Sequence, residues 1–300
     1  MVQTLYLGGT AFSNVTVGST TVTAIYVGST KIWEAGSSWT DPDIANASYD
    51  SKSLTVGSQE TQLRGIALSS DGTQLYAVGS SSDAVFAYDL STAWDVSTGS
   101  YSSNSFSVST EDATPSDIFF KPDGTKMYVI GYTSDRVHQY SLSTAWDITT
   151  ASYDSKNCLV TTQEGLPHSL MFNSSGTSFY VAGNNADTIF QYDMTTAWDV
   201  STASYASKSV SLTSIGNING ISMNPTDDQI YITSSSTDTV YAYDLSTAGD
   251  ISTATDSGSS FSVASQSTAP QGIIFKSDGS KMYIAEFTNS ASCAVYQYST

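Results

Sequence analysis

Short runs in which apolar and polar residues alternate follow one another along most of the chain, separated by clusters of glycine, aspartate and serine. Alternation over about four to eight residues is typical of a β-strand with one buried face. In the first clear unit it predicts strands over roughly 65–69, 74–79, 84–90 and 103–109. No stretch shows the apolar stripe of an amphipathic helix. The chain is therefore predicted to be all-β, without helices.

A turn of the type Asp-Gly-Thr recurs along the chain at a period of 51–52 residues. Its five copies begin at Asp71, Asp123, Ser175, Thr226 and Asp278. Each copy leads into a second strand that carries a tyrosine at the same place, at Tyr76, Tyr128, Tyr180, Tyr231 and Tyr283. A unit of four antiparallel strands repeated at a fixed period is typical of the blade of a β-propeller. Residues 57–300 are therefore predicted to form a five-bladed β-propeller.

The fifth unit has three predicted strands, because the sequence ends at Thr300 shortly after the third. Residues 43–56 match the fourth-strand segment of the first unit, 95–108, and Tyr49 corresponds to Tyr101. We therefore predict that this N-terminal strand completes the last blade, which closes the ring and removes its exposed edges. The propeller domain is assigned to residues 39–300.

The first 38 residues lack the repeat. Their apolar runs, Leu5–Leu7, Val15–Val17, Val22–Ala24 and Ile25–Val27, predict three or four short strands with glycine turns. A sheet this small buries too little apolar surface to be stable alone. Residues 1–38 are therefore predicted to be a docking module that anchors the protein to a partner, with Gly36-Ser37-Ser38 as a flexible link.

Charge excludes several kinds of partner. The chain has 28 acidic and 10 basic residues, a net charge of −18, which repels the phosphates of nucleic acids and of anionic membranes. No apolar run has the roughly 20 residues that a membrane-spanning helix needs. The start has neither a basic nor an apolar signal region, so we expect no cleaved signal peptide. Cys158 and Cys293 are expected to be free thiols, and no metal or other cofactor is predicted.

The long connection between the third and fourth strands of a unit carries the first candidate site. Three units place a tryptophan and an aspartate there, namely Trp94, Asp95, Trp146, Asp147, Trp198 and Asp199. A tryptophan beside an acid suits stacking on a sugar face with hydrogen bonds to its hydroxyls. Alternatively, each tryptophan packs against a neighbouring blade and each aspartate caps a turn. The aspartate persists where the tryptophan does not, at Asp250 and Asp43, which favours the turn role.

The second candidate site is the mouth of the central channel. The position that opens the first strand of each unit is variable and is predicted to ring this mouth, with Arg64, Ser116, His168, Asn219 and Gln271. An enzyme or metal site needs two or three His, Asp or Glu converging on one point. One histidine and one arginine, with Asp117 and Glu164 nearby, favour a solvated rim instead. The protein is therefore predicted not to be an enzyme.

A further acid recurs just before the third strand of four units, at Asp83, Asp135, Asp187 and Asp238. An Asx-type turn explains this position better than a calcium ligand, because no second carboxylate recurs beside it in the sequence.

The segment Phe120–Val129, with Leu166–Leu170 one repeat later, resembles the YVTN and lactonase-like class of propeller repeats. The resemblance extends over all five units and implies the same fold. That class contains enzymes, adhesins and surface-layer proteins. Its lactonases carry a metal constellation in the channel, which this sequence lacks.

Two other segments resemble structural proteins of tailed bacteriophages. Ile25–Trp33 looks like a short β module found at the start of such proteins, and the repeated Ser-Thr-Ala-Trp-Asp segment looks like propellers encoded by marine phages. The resemblance implies a virion structural protein, a decoration or fibre protein of capsid or tail, that displays its propeller on the virion surface for attachment to host glycans. Residues 1–38 would then contact other virion proteins, and the protein could assemble as a homo-oligomer on the particle. The alternatives are a hydrolase or lyase that uses the channel mouth, and a non-viral bacterial surface adhesin.

Overall fold

The computed structural model describes residues 15–17, 20–22, 24–27, 30–34 and 39–300. The chain divides into two compact units, residues 1–40 and 41–300. In the first unit, strands β1 (Val15–Val17) and β2 (Thr20–Val22) form one antiparallel pair, and β3 (Ala24–Val27) and β4 (Thr30–Glu34) form another. The predicted strand at Leu5–Leu7 and the predicted link Gly36-Ser37-Ser38 lie outside the described residues.

The second unit consists of five four-stranded antiparallel sheets. Strand β5 (Ser48–Thr55) comes first in the chain. The first blade contains β6 (Leu63–Leu68), β7 (Gln74–Gly79), β8 (Ala84–Leu90) and β9 (Gly99–Ser107). The second contains β10 (Pro115–Phe120), β11 (Lys126–Gly131), β12 (Arg136–Leu142) and β13 (Ala151–Leu159).

The third blade contains β14 (Pro167–Phe172), β15 (Ser178–Gly183), β16 (Thr188–Met194) and β17 (Ala203–Ser211). The fourth contains β18 (Ile218–Met223), β19 (Gln229–Ser234), β20 (Thr239–Leu245) and β21 (Ala254–Ser262). The fifth contains β22 (Pro270–Phe275), β23 (Lys281–Glu286) and β24 (Ala294–Ser299), and its outer strand is β5.

Strand β5 pairs antiparallel with β24, with Tyr49 opposite Tyr298 and Lys52 opposite Gln297. This confirms the predicted closure of the ring by an N-terminal strand. Because both edge strands of the last blade are supplied within one chain, no blade is left incomplete. The five-bladed, all-β architecture predicted from the repeat is therefore confirmed.

One prediction about the local structure is wrong. A single-turn 3-10 helix precedes each outer strand, at Ile44–Asn46, Val96–Thr98, Ile148–Thr150, Val200–Thr202 and Ile251–Thr253. Each of these turns buries only its first residue, so it leaves no helical period in the sequence. The outer strand of the first blade also starts earlier than predicted, because a register shift and the positive φ of Ser103 interrupt the alternation of its side chains.

The core lies between the blades. The second strands are buried on both faces because a neighbouring blade covers each side, and their five repeated tyrosines are completely buried, namely Tyr76, Tyr128, Tyr180, Tyr231 and Tyr283. Each buried hydroxyl needs a partner. Tyr128 donates to the carbonyl of Trp198 in the next blade at 2.8 Å, and Tyr283 donates to that of Trp94 at 2.8 Å. Four of the five tyrosines join neighbouring blades in this way by both packing and hydrogen bonding, whereas Tyr231 donates to Gln229 of its own strand.

The inner strands β6, β10, β14, β18 and β22 contact one another in sequence, and β22 contacts β6, so they form a closed ring around the channel. Side-chain hydrogen bonds join some of these inner strands to their neighbours. The Asp117 carboxylate accepts hydrogen bonds from the Ser169 hydroxyl at 2.6 Å and the Leu170 N–H at 2.9 Å, both on the next inner strand. Burial raises the pKa of Asp117 to about 7. Asp117 thus has a structural role in the channel wall.

Candidate functional site

The two ends of the channel carry the two sets of candidate residues. Every inner strand runs in the same direction, so Arg64 and its equivalents lie at one end, which we call the channel mouth. The turns that follow the inner strands and the loops bearing Trp94, Trp146 and Trp198 lie at the other end, which we call the tryptophan face.

The channel mouth is a polar cluster whose members bind one another. The Gln271 side-chain oxygen accepts hydrogen bonds from Arg64 Nη1 at 3.1 Å and Asn219 Nδ2 at 3.0 Å. Ser116 donates to the carbonyl of Pro167 at 2.6 Å. Ser116, Asn219 and Gln271 are buried, with at most 4% of their surface exposed. Arg64 and His168 are partly exposed, so the predicted rim combines three buried side chains with two that reach the surface.

His168 also belongs to this cluster. The Tyr132 hydroxyl lies 2.7 Å from its Nδ1, and Asn184 Nδ2 lies 3.1 Å from its Nε2. Burial and the nearby Arg64 guanidinium lower the pKa of His168 to about 3, so the imidazole is neutral at ordinary pH. The guanidinium lies over the Phe287 ring at 4.2 Å from its centre. Among the described residues, no three His, Cys, Asp or Glu come together as a metal site would require.

Glu164, the other acid predicted near the mouth, holds a turn. Its Oε1 accepts from the backbone N–H of Leu166 at 2.8 Å and of Asn185 at 3.2 Å, and Oε2 accepts from Ala186 at 3.2 Å. Glu60 and Asp112 hold the equivalent turns of the first two blades in the same way. Sequence reasoning missed this recurring role. A usable signal was present, because in each of these units an acid stands four residues after the valine that follows the outer strand.

The aspartates before the third strands take positive φ angles between 45° and 50°, at Asp83, Asp135, Asp187 and Asp238. The Asp83 carbonyl accepts from the Val108 N–H at 2.9 Å, and the three other copies make the same contact. These are turn residues, but the backbone carbonyl makes the contact: Oδ1 of Asp135, Asp187 and Asp238 is buried without a hydrogen-bond partner, so the side-chain bond of an Asx turn is not seen there. Burial and the nearby carboxylates of Glu60 and Asp112 raise the pKa of Asp83, so other acids do approach this position in space.

On the tryptophan face, the aspartates of the Trp-Asp pairs cap the 3-10 turns. Asp95 accepts from the backbone N–H of Ser97 at 3.1 Å, Asp147 from Thr149 at 3.0 Å and Asp199 from Ser201 at 3.2 Å. A capping carboxylate has one oxygen committed to the turn. The structure therefore gives these aspartates the turn role that their persistence predicted.

The tryptophans adopt an unusual backbone conformation, with φ of 68°, 67° and 64° at Trp94, Trp146 and Trp198. A bulky residue rarely takes this left-handed conformation. The fourth unit has Gly249 at this position, with φ of 72°. The backbone N–H of each tryptophan donates to the carbonyl of the turn glycine in its own blade. The indole ring covers that glycine so closely that a Cβ there would lie within 2.5 Å of ring atoms. The fold thus holds each ring flat over a turn.

Two of the three tryptophans border one cavity at the end of the channel. Trp94 and Trp146 line a depression of about 270 Å³, which we call the bowl, together with Phe119, Ile274 and Phe275. Serine residues border the same depression, at Ser69, Ser70, Ser222 and Ser277; the Ser69 hydroxyl is bound to Asp71 and Gln74. Both indoles are half-buried. The bowl is therefore an aromatic, concave surface with hydroxyls beside it, and sequence reasoning did not predict that two Trp-Asp loops share it.

Trp198 does not line the bowl. Its ring stacks on Phe172, with 5.5 Å between ring centres and 21° between planes, and lies 6.4 Å from Phe119. Trp146 makes the equivalent contact with Phe120, at 5.4 Å and 33°, so Trp146 and Trp198 differ in their place relative to the bowl and not in this packing.

Comparison with known proteins supports no family assignment. No protein-family model matches the chain, and no curated protein matches it. Among solved structures it is similar to putative 6-phosphogluconolactonases from Bacteroides uniformis (16% identity, TM-score 0.48, covering 74% of this chain and 63% of that one) and Bacteroides fragilis (14%, 0.46, 72% and 61%). Sqt1 from Chaetomium thermophilum is similar at 14% identity and a TM-score of 0.44, over 73% of this chain and 53% of that one.

The chain thus spans less than two thirds of the length of these three proteins. At such low identity the likeness concerns the fold and says nothing about activity. The described part of the chain contains no helix long and apolar enough to cross a membrane.

Proposed function

We propose that the propeller is a non-catalytic binding domain and that the bowl on the tryptophan face takes a saccharide. The observation that carries this proposal is the pair of half-buried indoles, Trp94 and Trp146, at the border of one concave cavity. Aromatic rings stack on the apolar faces of sugars, and neighbouring polar groups bind their hydroxyls. The serine hydroxyls beside the bowl supply such groups. Asp95 and Asp147 act in this proposal as turn caps and not as sugar ligands.

The strained backbone of the tryptophans supports the proposal. A left-handed conformation costs roughly 1–2 kcal/mol for a residue with a side chain, and the fourth unit avoids this cost with glycine. Backbone strain of this kind is concentrated at binding sites. Forming the turn does not require tryptophan, because Gly249 fulfils that role equally well; Trp198 bears the same strain away from the bowl, so it is the position of Trp94 and Trp146 at the bowl that supports binding.

The biological setting that we propose is the surface of a bacteriophage particle. The support is the resemblance of Ile25–Trp33 and of the Ser-Thr-Ala-Trp-Asp repeat to phage structural proteins. In this proposal residues 1–38 join other virion proteins and the propeller attaches to host glycans. Deleting residues 1–38 should then leave particles without the protein, and retained incorporation would refute the anchoring role.

The binding proposal is tested with the full chain on a glycan array. The double variant Trp94→Gly, Trp146→Gly removes both indoles from the bowl and places glycine where the fourth unit has Gly249, which suits the positive φ. Trp198→Gly is the matched control, because it removes an equivalent ring that does not line the bowl. Near-ultraviolet circular dichroism and the melting temperature establish that each variant is folded.

We expect saccharide binding by the parent and by Trp198→Gly, and its loss in the double variant. Loss in the control as well would place the site elsewhere or reveal a general effect on the fold. Absence of binding by the folded parent to every glycan would refute the saccharide proposal.

A hydrolase or lyase at the channel mouth is the second candidate function. The observation that favours it is the buried Arg64 Nε, which has no hydrogen-bond partner and lies near the neutral His168 imidazole. A guanidinium could bind an anionic substrate, and a neutral imidazole can accept a proton. Turnover of lactones or sugar-phosphate esters by the parent, lost in His168→Gln, would establish this function. Lack of turnover, or turnover that His168→Gln leaves unchanged, would refute it.

A further inference from the structure

Neighbouring blades meet along a seam where the outer strands of one blade contact the 3-10 turn of the next. At three seams a lysine on the outer strand binds the capping aspartate of the next blade. The distance from Nζ to Oδ2 is 2.6 Å for Lys52 and Asp95, 2.6 Å for Lys156 and Asp199, and 2.9 Å for Lys208 and Asp250. We call these the closed seams.

A glutamine completes each closed seam. From the third strand, its side-chain oxygen accepts the first backbone N–H of the 3-10 turn in the next blade. The three contacts are all 3.1 Å long and join Gln297 to Val96, Gln139 to Val200 and Gln191 to Ile251. In each closed seam, therefore, a lysine ammonium group faces the capping carboxylate, and a glutamine side-chain oxygen faces a backbone N–H.

The seam between the first and second blades lacks both side chains. Asn104 stands at the lysine position and Ala87 at the glutamine position. A cavity of about 240 Å³ lies here, lined among others by Ala87, Asn104, Trp146 and Asp147. We call it the seam pocket. Asp147 still caps its turn as in the closed seams, so its Oδ2 keeps the orientation that elsewhere receives a lysine.

The remaining seam, between the fourth and fifth blades, uses its carboxylate differently. Ser259 and Ala242 occupy the lysine and glutamine positions there. Asp43 makes no capping bond, and its Oδ2 accepts from Asn46 Nδ2 at 2.8 Å. Among the five seams, all within residues 39–300, the seam pocket is thus the one that keeps the capping carboxylate in place without a cation from the protein.

We propose that the seam pocket binds the primary ammonium group of a small ligand, at the position that lysine Nζ occupies in the closed seams. Asp147 Oδ2 supplies the counter-charge and the Asn104 amide oxygen supplies a second acceptor. Trp146 and Ile148, on either side of Asp147 in the chain, also border the pocket. The volume suits an alkylamine or an amino sugar. The seam pocket and the bowl have Trp146 in common, but the amine site does not depend on the proposed saccharide function.

Titration of the full chain with n-butylamine, followed by two-dimensional 15N NMR, tests the proposal. n-Butylamine reproduces the lysine side chain, and n-butanol is its uncharged counterpart. We expect saturable shifts of the Ile148 backbone N–H and the Asn104 side-chain amide with butylamine and none with butanol. Glucosamine and a lysine with both backbone ends blocked show whether a free amino sugar or a protein side chain fits better; saturable binding by either supports the site.

Asn104→Lys supplies the missing ammonium group from the protein itself and should weaken butylamine binding at least about tenfold. Ser259→Lys is the matched control, because it adds the same charge at the equivalent position of another seam and should leave the affinity unchanged. Conversely, Lys156→Asn with Gln139→Ala should open a second pocket and raise the number of amines bound from one to two.

Absence of saturable shifts in the parent would overturn the proposal. Equal weakening by Asn104→Lys and Ser259→Lys would also overturn it, because it would show that the amine binds the acidic surface in general.

Discussion

The two ends of the channel are built from the same five inner strands, yet they use their side chains in opposite ways. At the channel mouth, Arg64 and Asn219 both donate to Gln271, and Asn219 and Gln271 are buried. On the tryptophan face, Trp94 and Trp146 leave a concave aromatic surface open. A ring of polar residues at a propeller mouth is thus not in itself an active site, since internal hydrogen bonding can make it part of the wall.

The largest predicted effect concerns the tryptophan face. Gly124→Asp should destabilise the protein by about 3 kcal/mol, because a Cβ there would lie 2.4 Å from Trp146 Nε1 and φ is 72°. The fourth unit carries Asp227 at this position, where Gly249 replaces the tryptophan. Trp146→Gly in the same chain should therefore restore at least half of the loss, as measured by urea unfolding. Additive effects of the two substitutions would contradict this coupling.

The next effect concerns the channel mouth. Gln271→Leu leaves Arg64 Nη1 and Asn219 Nδ2 without their shared acceptor and should lower the free energy of unfolding by about 2 kcal/mol. Gln271→Glu keeps an acceptor and should cost less. Saccharide binding should be unchanged in both variants, if the two ends are independent as the comparison implies. Loss of binding in folded Gln271→Leu would show that they are coupled.

The pH dependence of stability probes the same cluster. The pKa of His168 is lowered to about 3 in the folded protein, below its ordinary value of about 6.5, so the unfolded chain takes up this proton first as pH falls. The stability from neutral His168 is present above pH 6.5 and is lost as pH falls towards 3. Relative to the parent, His168→Gln should gain roughly 2 kcal/mol between pH 7.5 and pH 5. Parallel pH profiles would refute the burial of a neutral imidazole.

The smallest predicted effect concerns the seams on the side of the tryptophan loops. Lys156→Met breaks the pair with Asp199, in which the lysine side chain is 38% exposed. Such pairs contribute about 1 kcal/mol or less and are screened by salt. We expect a loss of about 0.5 kcal/mol that disappears in 1 M salt, as measured by urea unfolding. A loss several times larger would mean that the seam pairs are important for stability. The difference between the two ends of the channel would then apply to whole blades and not only to the channel.

Much of the fold could be predicted from the sequence because blades repeat. The turn at Asp71 and its copies, and the tyrosine that follows, set the number of blades without knowledge of any contact. The 3-10 turns were missed because one buried residue each, such as Val96, gives no periodicity. The sequence indicated the candidate residues but not the contacts that they make. The capping role of Asp95 was one of two open interpretations, and the burial of Gln271 was not predicted.

Self-similarity along the chain by itself determined the all-β class, the five blades and the closure by strand β5, because each blade must bury its faces against identical neighbours and only a closed ring satisfies them all. Only the tertiary structure decided which equivalent residues differ in role. Trp94 and Trp146 share the bowl while Trp198 does not line it, and Asp147 lacks the lysine that Asp199 has. The physical reason is that these differences depend on side chains from the neighbouring blade, about 50 residues away in sequence, which no local pattern records.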